Sequence, residues 1–172
     1  MSLRFQNTLT GRREDFVPLD AHLVRMYTCG PTVYNYAHIG NYRTFVFQDI
    51  LRRYLKYKGY PLLHVMNITD VDDKIIRDSK AAGLSLRQFT DKYAQAFLED
   101  LASLRIELPE HVARATEHIP EMVQLIQRLE ARGLTYRSDG SIYFRIAAFP
   151  GYGKIARLDL EGIRAEIGRA HV

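Results

Sequence analysis

The hydrophobic and polar positions of the chain change period several times, and each change marks an element. From His22 to Thr28 they alternate, with Leu23 and Arg25 on one side and Val24 and Met26 on the other, as a strand requires. Gly30-Pro31 ends that run. From His38 to Lys58 the spacing turns helical, with Phe47, Ile50, Leu51 and Tyr54 on one face and Gly59 as the stop. Leu62 to Ile68 is a short apolar run suited to a buried parallel strand. Strand, helix and strand within about forty-five residues predict a βαβ unit with a special turn after its first strand.

Downstream, DVDDKIIRDSKAAG predicts a charged helix ending near Gly83, with Lys74 on its surface. Ser85 and Gln88 form a capping box for a third helix carrying Leu86, Phe89, Tyr93, Phe97, Leu101 and Leu104 as a stripe. Pro109 ends this region. Pro120 opens a fourth helix, with Val123, Ile126 and Leu129 inward and Gly133 as its stop. Leu134–Arg137 and Ile142–Ile146 flank Ser138-Asp139-Gly140-Ser141, a hairpin with a strong turn.

The switch from βα units to a hairpin sets the expected organisation. Residues 1–21 form an N-terminal arm, 22–134 the first half of an α/β domain and 135–165 the start of a second domain. Gly151 to Arg164 reads as loop. The last seven residues, EIGRAHV, match a sequencing-library adapter translated in frame, so the natural sequence is expected to end near Ala165.

Composition narrows the class. Of 172 residues 47% are hydrophobic, enough for a packed core and too many for global disorder. A net charge of +4 permits a polyanionic partner without demanding one. One cysteine excludes an intramolecular disulfide and suits a reducing compartment. Met1 to Gln6 lacks a signal-peptide pattern and no apolar run reaches membrane-spanning length, so the chain reads as soluble and cytoplasmic, with no membrane partner.

The candidate chemistry gathers at the two strand ends. TCGPTVYNYAHIGN, Thr28 to Asn41, ends the first strand, opens the first helix and holds the lone cysteine. Strand C-termini of an α/β sheet face the ligand crevice. Cys29 is there either a small buried hydrophobe or a soft metal ligand or nucleophile, and one thiolate cannot hold zinc without two or three more ligands. His22, His38, His64, His111, His118 and His171 are the histidines, and none has convincing metal-pair spacing with Cys29. His38 and Asn41 sit where free N–H groups and the helix dipole favour anions, so they are candidates for triphosphate contacts; capping by Asn41 is the plainer alternative.

NITDVDD, Asn67 to Asp73, borders the same crevice. Asn67 and Thr69 are candidate substrate contacts. Asp70, Asp72 and Asp73 are caps and dipole partners before they are a magnesium site. Thr44, one turn into the helix, is expected at the pocket. Tyr34, Tyr36, Phe45 and Phe47 read as packing rather than base stacking. Arg43, Arg52, Arg53, Lys56 and Lys58 read as a solvated basic face, with nucleic-acid contact as the sharper alternative.

MYTCGPTVYNYAHIGNYRTFVFQDILRRYL followed by HVMNITDVDDKI resembles the N-terminal half of the catalytic domain of cysteinyl-tRNA synthetases, class I aminoacyl-tRNA synthetases, and the similarity extends from about Leu3 to Ala165. The resemblance implies an α/β, Rossmann-type parallel sheet split by an inserted connective domain, with this chain stopping early in the insertion. It implies that Cys29 is the first zinc ligand. Pro31, Thr32, Val33, Tyr34, Asn35, Tyr36, Ala37, His38, Ile39, Gly40 and Asn41 form the HIGH-type signature region, with Asn41 in place of its last histidine. Cys29, Gly30, Thr32, Thr44, Asn67 and Thr69 match positions lining the cysteinyl-adenylate pocket, and His38 and Asn41 are the implied catalytic pair.

Activity, cofactors and partners follow from the same resemblance. L-cysteine reacts with ATP, accompanied by Mg2+, to give cysteinyl-adenylate, and tRNA(Cys) then takes the cysteinyl group. Zinc would select a substrate thiolate over a hydroxyl. The other zinc ligands, the KMSKS loop and the anticodon-binding domain have no counterpart in this sequence, so the chain alone is expected to be inactive and to bind zinc weakly. Two alternatives remain: the cysteine ligase of mycothiol biosynthesis, whose signature differs at Val33 and at Ile39-Gly40-Asn41, and a non-catalytic truncated paralogue acting as a binding module.

Overall fold

The computed structural model describes residues 3–156, so the tail from Glu166 and the end of the Gly151–Arg164 loop lie outside the described residues. The described residues divide into two compact units, Pro18–Ile119 and the combination of the segment up to Val17 with the segment from Pro120 onward. The expected boundaries near residues 22 and 135 differ from this division, in which the fourth helix groups with the hairpin after it.

The N-terminal segment, expected as an arm, is a hairpin. β1 (Arg4–Asn7) pairs antiparallel with β2 (Arg12–Asp15). Gly11, at φ 69°, supplies the left-handed turn residue, and Phe5 packs edge-on to Phe16 at 5.4 Å. Strand β2 reads RRED, with no apolar alternation to reveal it.

The Pro18–Ile119 unit is built on a parallel sheet. β3 (Val24–Thr28) is followed by α1 (Ile39–Tyr57), β4 (Leu62–Ile68), α2 (Asp73–Ala81), α3 (Leu86–Ser103) and β5 (His111–Arg114). The strand order is β3-β4-β5, with Met26 opposite His64 and Met66 opposite Val112. Both crossovers run in one direction, which puts α1 and α3 on one face of the sheet. There Tyr42 and Phe45 of α1 and Phe97 and Leu101 of α3 close over Met66, with Val112 against them. Val33, Ile68 and Ala94 make a second cluster beside it.

The ends of α1 match expectation, but its buried face does not. Tyr42, Phe45, Gln48, Arg52 and Leu55 face inward, while Phe47 and Ile50 are 63% and 60% exposed. A burial-only reading of the helix would not put an arginine inside. Arg52 goes in, at 4% exposure, because two carboxylates meet it: Glu110 takes both terminal nitrogens at 2.8 and 2.6 Å, and Glu107 takes Nε at 3.1 Å. The hydrogen bonds from Arg52 hold the Glu110 carboxyl down at about 2. Arg53 pairs with Asp49 and Lys56 with Glu107, so three of the five charges read as a basic face are spent on internal partners.

The remaining elements run α4 (Ile119–Ala131), β6 (Thr135–Ser138) and β7 (Ser141–Phe144). The hairpin is as expected, and its turn residues Asp139 and Gly140 both have positive φ, 49° and 79°, as a two-residue turn of this hand requires. In α4, Ile126 and Leu129 are half-buried, but Val123, expected inward, is exposed. Leu104 at the end of α3, expected in the stripe, is exposed too.

Candidate active site at the end of the parallel sheet

The C-terminal ends of β3 and β4 are joined by their own loops. Beyond Thr28 the chain does not leave the sheet: Val33 N–H donates to the Thr69 carbonyl and Thr69 N–H to the Pro31 carbonyl, each at 3.0 Å, and Thr32 pairs with Thr69 in a one-residue parallel bridge. Asn67 completes the join. Its Oδ1 accepts from Gly30 N–H at 3.1 Å and from the Tyr27 hydroxyl at 3.0 Å, and its Nδ2 donates to Thr69 Oγ1 at 3.0 Å. Gly30 passes so close to β4 that a Cβ there would collide with the Asn67 carbonyl oxygen and the Met66 side chain. From the other side Gln48 Nε2 of α1 donates to the Cys29 carbonyl at 3.2 Å.

The loop then bends into α1 through a reciprocal cap. His38 is the N-cap; its Nδ1 accepts from Gly40 N–H at 3.1 Å, and Asn41 Oδ1 accepts from His38 N–H at 3.0 Å. With Nδ1 accepting, a neutral ring carries its proton on Nε2, and that N–H is the donor a bound anion can use. Capping and anion contact are therefore compatible uses of the same histidine.

Between loop and helices lies a cavity of about 480 Å3. Its wall takes in Cys29 through His38, then Asn41, Thr44 and Phe45 from α1, and Tyr93 and Phe97 from α3. Cys29, Gly30, Thr32, His38, Asn41 and Thr44 are thus brought together around one space. Asn67 and Thr69 are not in its wall; they stand behind it, fixing the loop. Ile39 and Gly40 are in the helix start rather than the wall. Tyr93 and Phe97 belong to the apolar stripe of α3, and a helix pattern carries no sign of which end of a stripe meets a cavity. Of the aromatics expected to pack, Phe45 joins the core and Tyr36, though largely exposed, packs edge-on to Tyr93 at 5.1 Å, whereas Phe47 is exposed.

The thiol of Cys29 is exposed, which removes the reading of a buried hydrophobe. Beneath it, Thr28 Oγ1 lies 2.8 Å from His64 Nε2, and His64 N–H donates to Glu110 at 2.7 Å. Burial, and then the nearby Arg52 charge, push the His64 pKa below its ordinary value, so the ring is neutral.

The aspartates are structural. Asp72 caps α2, accepting from Ile75 N–H at 2.7 Å. Asp70 is buried and accepts from Arg114 Nε, Thr116 N–H and the Thr116 hydroxyl. Burial would raise its carboxyl, but the Thr116 and Arg114 bonds outweigh it and hold the group low. Among the described residues no three His, Cys, Asp or Glu side chains gather closely enough to hold a metal ion. Cys29 is one thiolate where even an open zinc site needs three protein ligands, so the described residues do not make a zinc centre.

Known proteins frame this geometry. Two solved structures of Mycobacterium tuberculosis methionyl-tRNA synthetase with methionyl-adenylate superpose on 70% of the chain at a TM-score of 0.55 and 16% identity, covering 28% and 29% of those chains. At that identity the likeness establishes the fold alone, a Rossmann-like α/β half-domain. Cysteine–tRNA ligases from Solibacter usitatus, Koribacter versatilis and Leptospira interrogans are 59%, 54% and 51% identical over 94–95% of the chain, which spans about a third of their length, 33–35%. A family model described as the class I (C) tRNA synthetase catalytic domain matches residues 15–171, and with that match the chain belongs to the catalytic-domain family of the class I (C) tRNA synthetases.

Proposed function

We propose that the chain is the N-terminal part of the catalytic domain of a cysteine–tRNA ligase. The observation that carries the reading is the single cavity walled by Cys29, Gly30, Thr32, His38, Asn41 and Thr44 at the carboxyl end of the sheet. The substrates are L-cysteine, ATP with Mg2+, and tRNA(Cys). A cysteine carboxylate oxygen attacks the α-phosphorus of ATP; the bond to the bridging oxygen breaks and pyrophosphate leaves. The terminal ribose hydroxyl of the tRNA then attacks the acyl carbon and AMP leaves.

Each residue has a role in this reading. His38 Nε2–H and the Asn41 amide donate to phosphate oxygens as charge builds on them. Gly30 lets backbone and substrate approach, and Thr32 and Thr44 offer hydroxyls to cysteine and nucleotide. Asn67 and Thr69 act from behind, by holding the loop that carries Cys29. No step is derived through zinc. The cytoplasm is the compartment the reading implies, and no helix among the described residues is long and apolar enough to cross a membrane.

The test is a chimera in which this chain replaces the matching third of the Solibacter usitatus ligase. Cysteine-dependent ATP–pyrophosphate exchange and tRNA charging are expected, both abolished by His38→Ala. A folded chimera that exchanges pyrophosphate with serine as readily as with cysteine, or with neither, overturns the reading. The 172-residue chain alone is expected to give no exchange, and measurable exchange by it overturns that part.

A further inference from the structure

The cavity wall presents an imbalance. Among the described residues it carries no lysine, arginine, aspartate or glutamate, and His38 is its one basic side chain. A polyphosphate entering such a wall meets N–H and O–H donors but no fixed positive charge. The charge stands one ring away. Lys74 Nζ of α2 lies 3.5 Å from the centroid of the Tyr34 ring, and Tyr34 is part of the wall. Forty positions of sequence separate the two, so the fold, not local geometry, brings them together. The contrast is Lys92, which stands 4.5 Å over its immediate neighbour Tyr93. No carboxylate pairs with Lys74 in any hydrogen bond or ion pair found for it among the described residues, unlike Arg52, Arg53 and Lys56.

We infer that Lys74, held over Tyr34, is the phosphate-binding cation of this pocket. The inference rests on reading the pocket as a nucleotide site, and it adds a residue of α2 to a wall made by the loop, α1 and α3. An exposed cation over a phenol ring is weakly held. Three ammonium donors on a flexible four-carbon stem exchange that ring for phosphate oxygens, a charge-assisted contact. Tyr34 keeps the ammonium at the cavity edge until the anion arrives.

Isothermal titration of the 172-residue chain with Mg-ATP and, separately, with adenosine tests this. Lys74 is exposed on α2, so its replacement leaves the core untouched. Lys74→Ala is expected to weaken Mg-ATP binding about tenfold while leaving adenosine binding unchanged. Lys74→Arg is expected to retain most of the affinity, and Lys80→Ala, one cation lost from the same helix, to retain all of it. If the unaltered chain and Lys74→Ala bind Mg-ATP equally, the inference falls and the nucleotide reading stands. An equal loss for adenosine and Mg-ATP also overturns it, because Lys74 then acts on pocket shape. If the unaltered chain binds neither ligand, the nucleotide reading of this chain and the inference fall together.

Discussion

Every buried side chain among the described residues, from Val24 to Leu101, belongs to the Pro18–Ile119 unit, whereas α4, β6 and β7 bury none. Both regions have regular elements and good turn chemistry. They differ in whether those elements have anything to close over. The parallel sheet has α1 and α3 on one face, a core closed between them, and a polar network in which the buried Arg52 meets Glu107 and Glu110. The hairpin pair Tyr136 and Tyr143 stack at 5.3 Å, yet Tyr136 remains exposed. Local sequence rules are enough to make an element; burial is what makes it hold.

The comparison can be broken most forcefully at Gly30 and Arg52. Gly30→Ala pushes a Cβ against the β4 backbone and is expected to cost about 3 kcal/mol, the upper end for overpacking, because backbone cannot swing aside. Urea denaturation followed by tyrosine fluorescence reads this, and a loss under half that size would mean the loop has another seat. Arg52→Ala removes a buried guanidinium from two carboxylates. These are themselves a third exposed, 35% and 34%, so the cost falls to about 2 kcal/mol, below the full cost of a buried pair. Neither change should alter amide exchange at residues 135–144.

Acid sharpens the same contrast. His64 is held below its ordinary 6.5, so the unfolded chain binds more protons there, and its contribution is present above that pH and lost below it. Glu110, held at about 2 by Arg52, contributes fully above its ordinary 4.5 and loses that contribution as pH falls from there toward 2. Melting temperature should therefore drop in two legs, and His64→Asn should remove the upper one. A melting temperature flat from pH 7 to 5 in the unaltered chain would contradict the neutral buried ring.

Smaller effects belong to the other unit. Leu129→Ala is expected to cost under about 1 kcal/mol, since the side chain is only half-buried, and native-state exchange should find the slowest amides in β4 and α3. Slow exchange in α4 would show that the unit has a core of its own. The smallest expected effect is that of a chelator: with a single thiolate, melting should be unchanged by its addition, and stoichiometric zinc in a metal analysis would refute that.

Legibility in the sequence followed the same line. The strand-turn-helix around Cys29, the limits of α1 and the Asp139-Gly140 turn are local, and they could be read from glycines, caps and periodicity. The inward face of α1 could not, because Arg52 is drawn in by Glu107 and Glu110, more than fifty residues away in sequence. Tyr93 and Phe97 joined the pocket wall for the same reason: the crossover that carries α3 past the loop is a property of the sheet. The β1–β2 hairpin leaves no period-two signal in the sequence, because neither face of RRED is apolar. Asn67, a substrate contact by sequence, stands behind the wall instead, because its amide is engaged by Gly30, Tyr27 and Thr69, partners that only the pairing of β3 with β4 brings to it.

The join between Gly30 and Asn67 also has a consequence for the order of synthesis. Thirty-seven residues separate the two partners. At about 5–20 residues per second, the ribosome delivers Asn67 roughly 2–7 s after Gly30. Throughout that interval the segment bearing the exposed thiol has no strand to lie against. The growing chain thus carries an unpinned Cys29 loop until β4 has been made, and the loop takes its seat only after the segment that seats it has been synthesised.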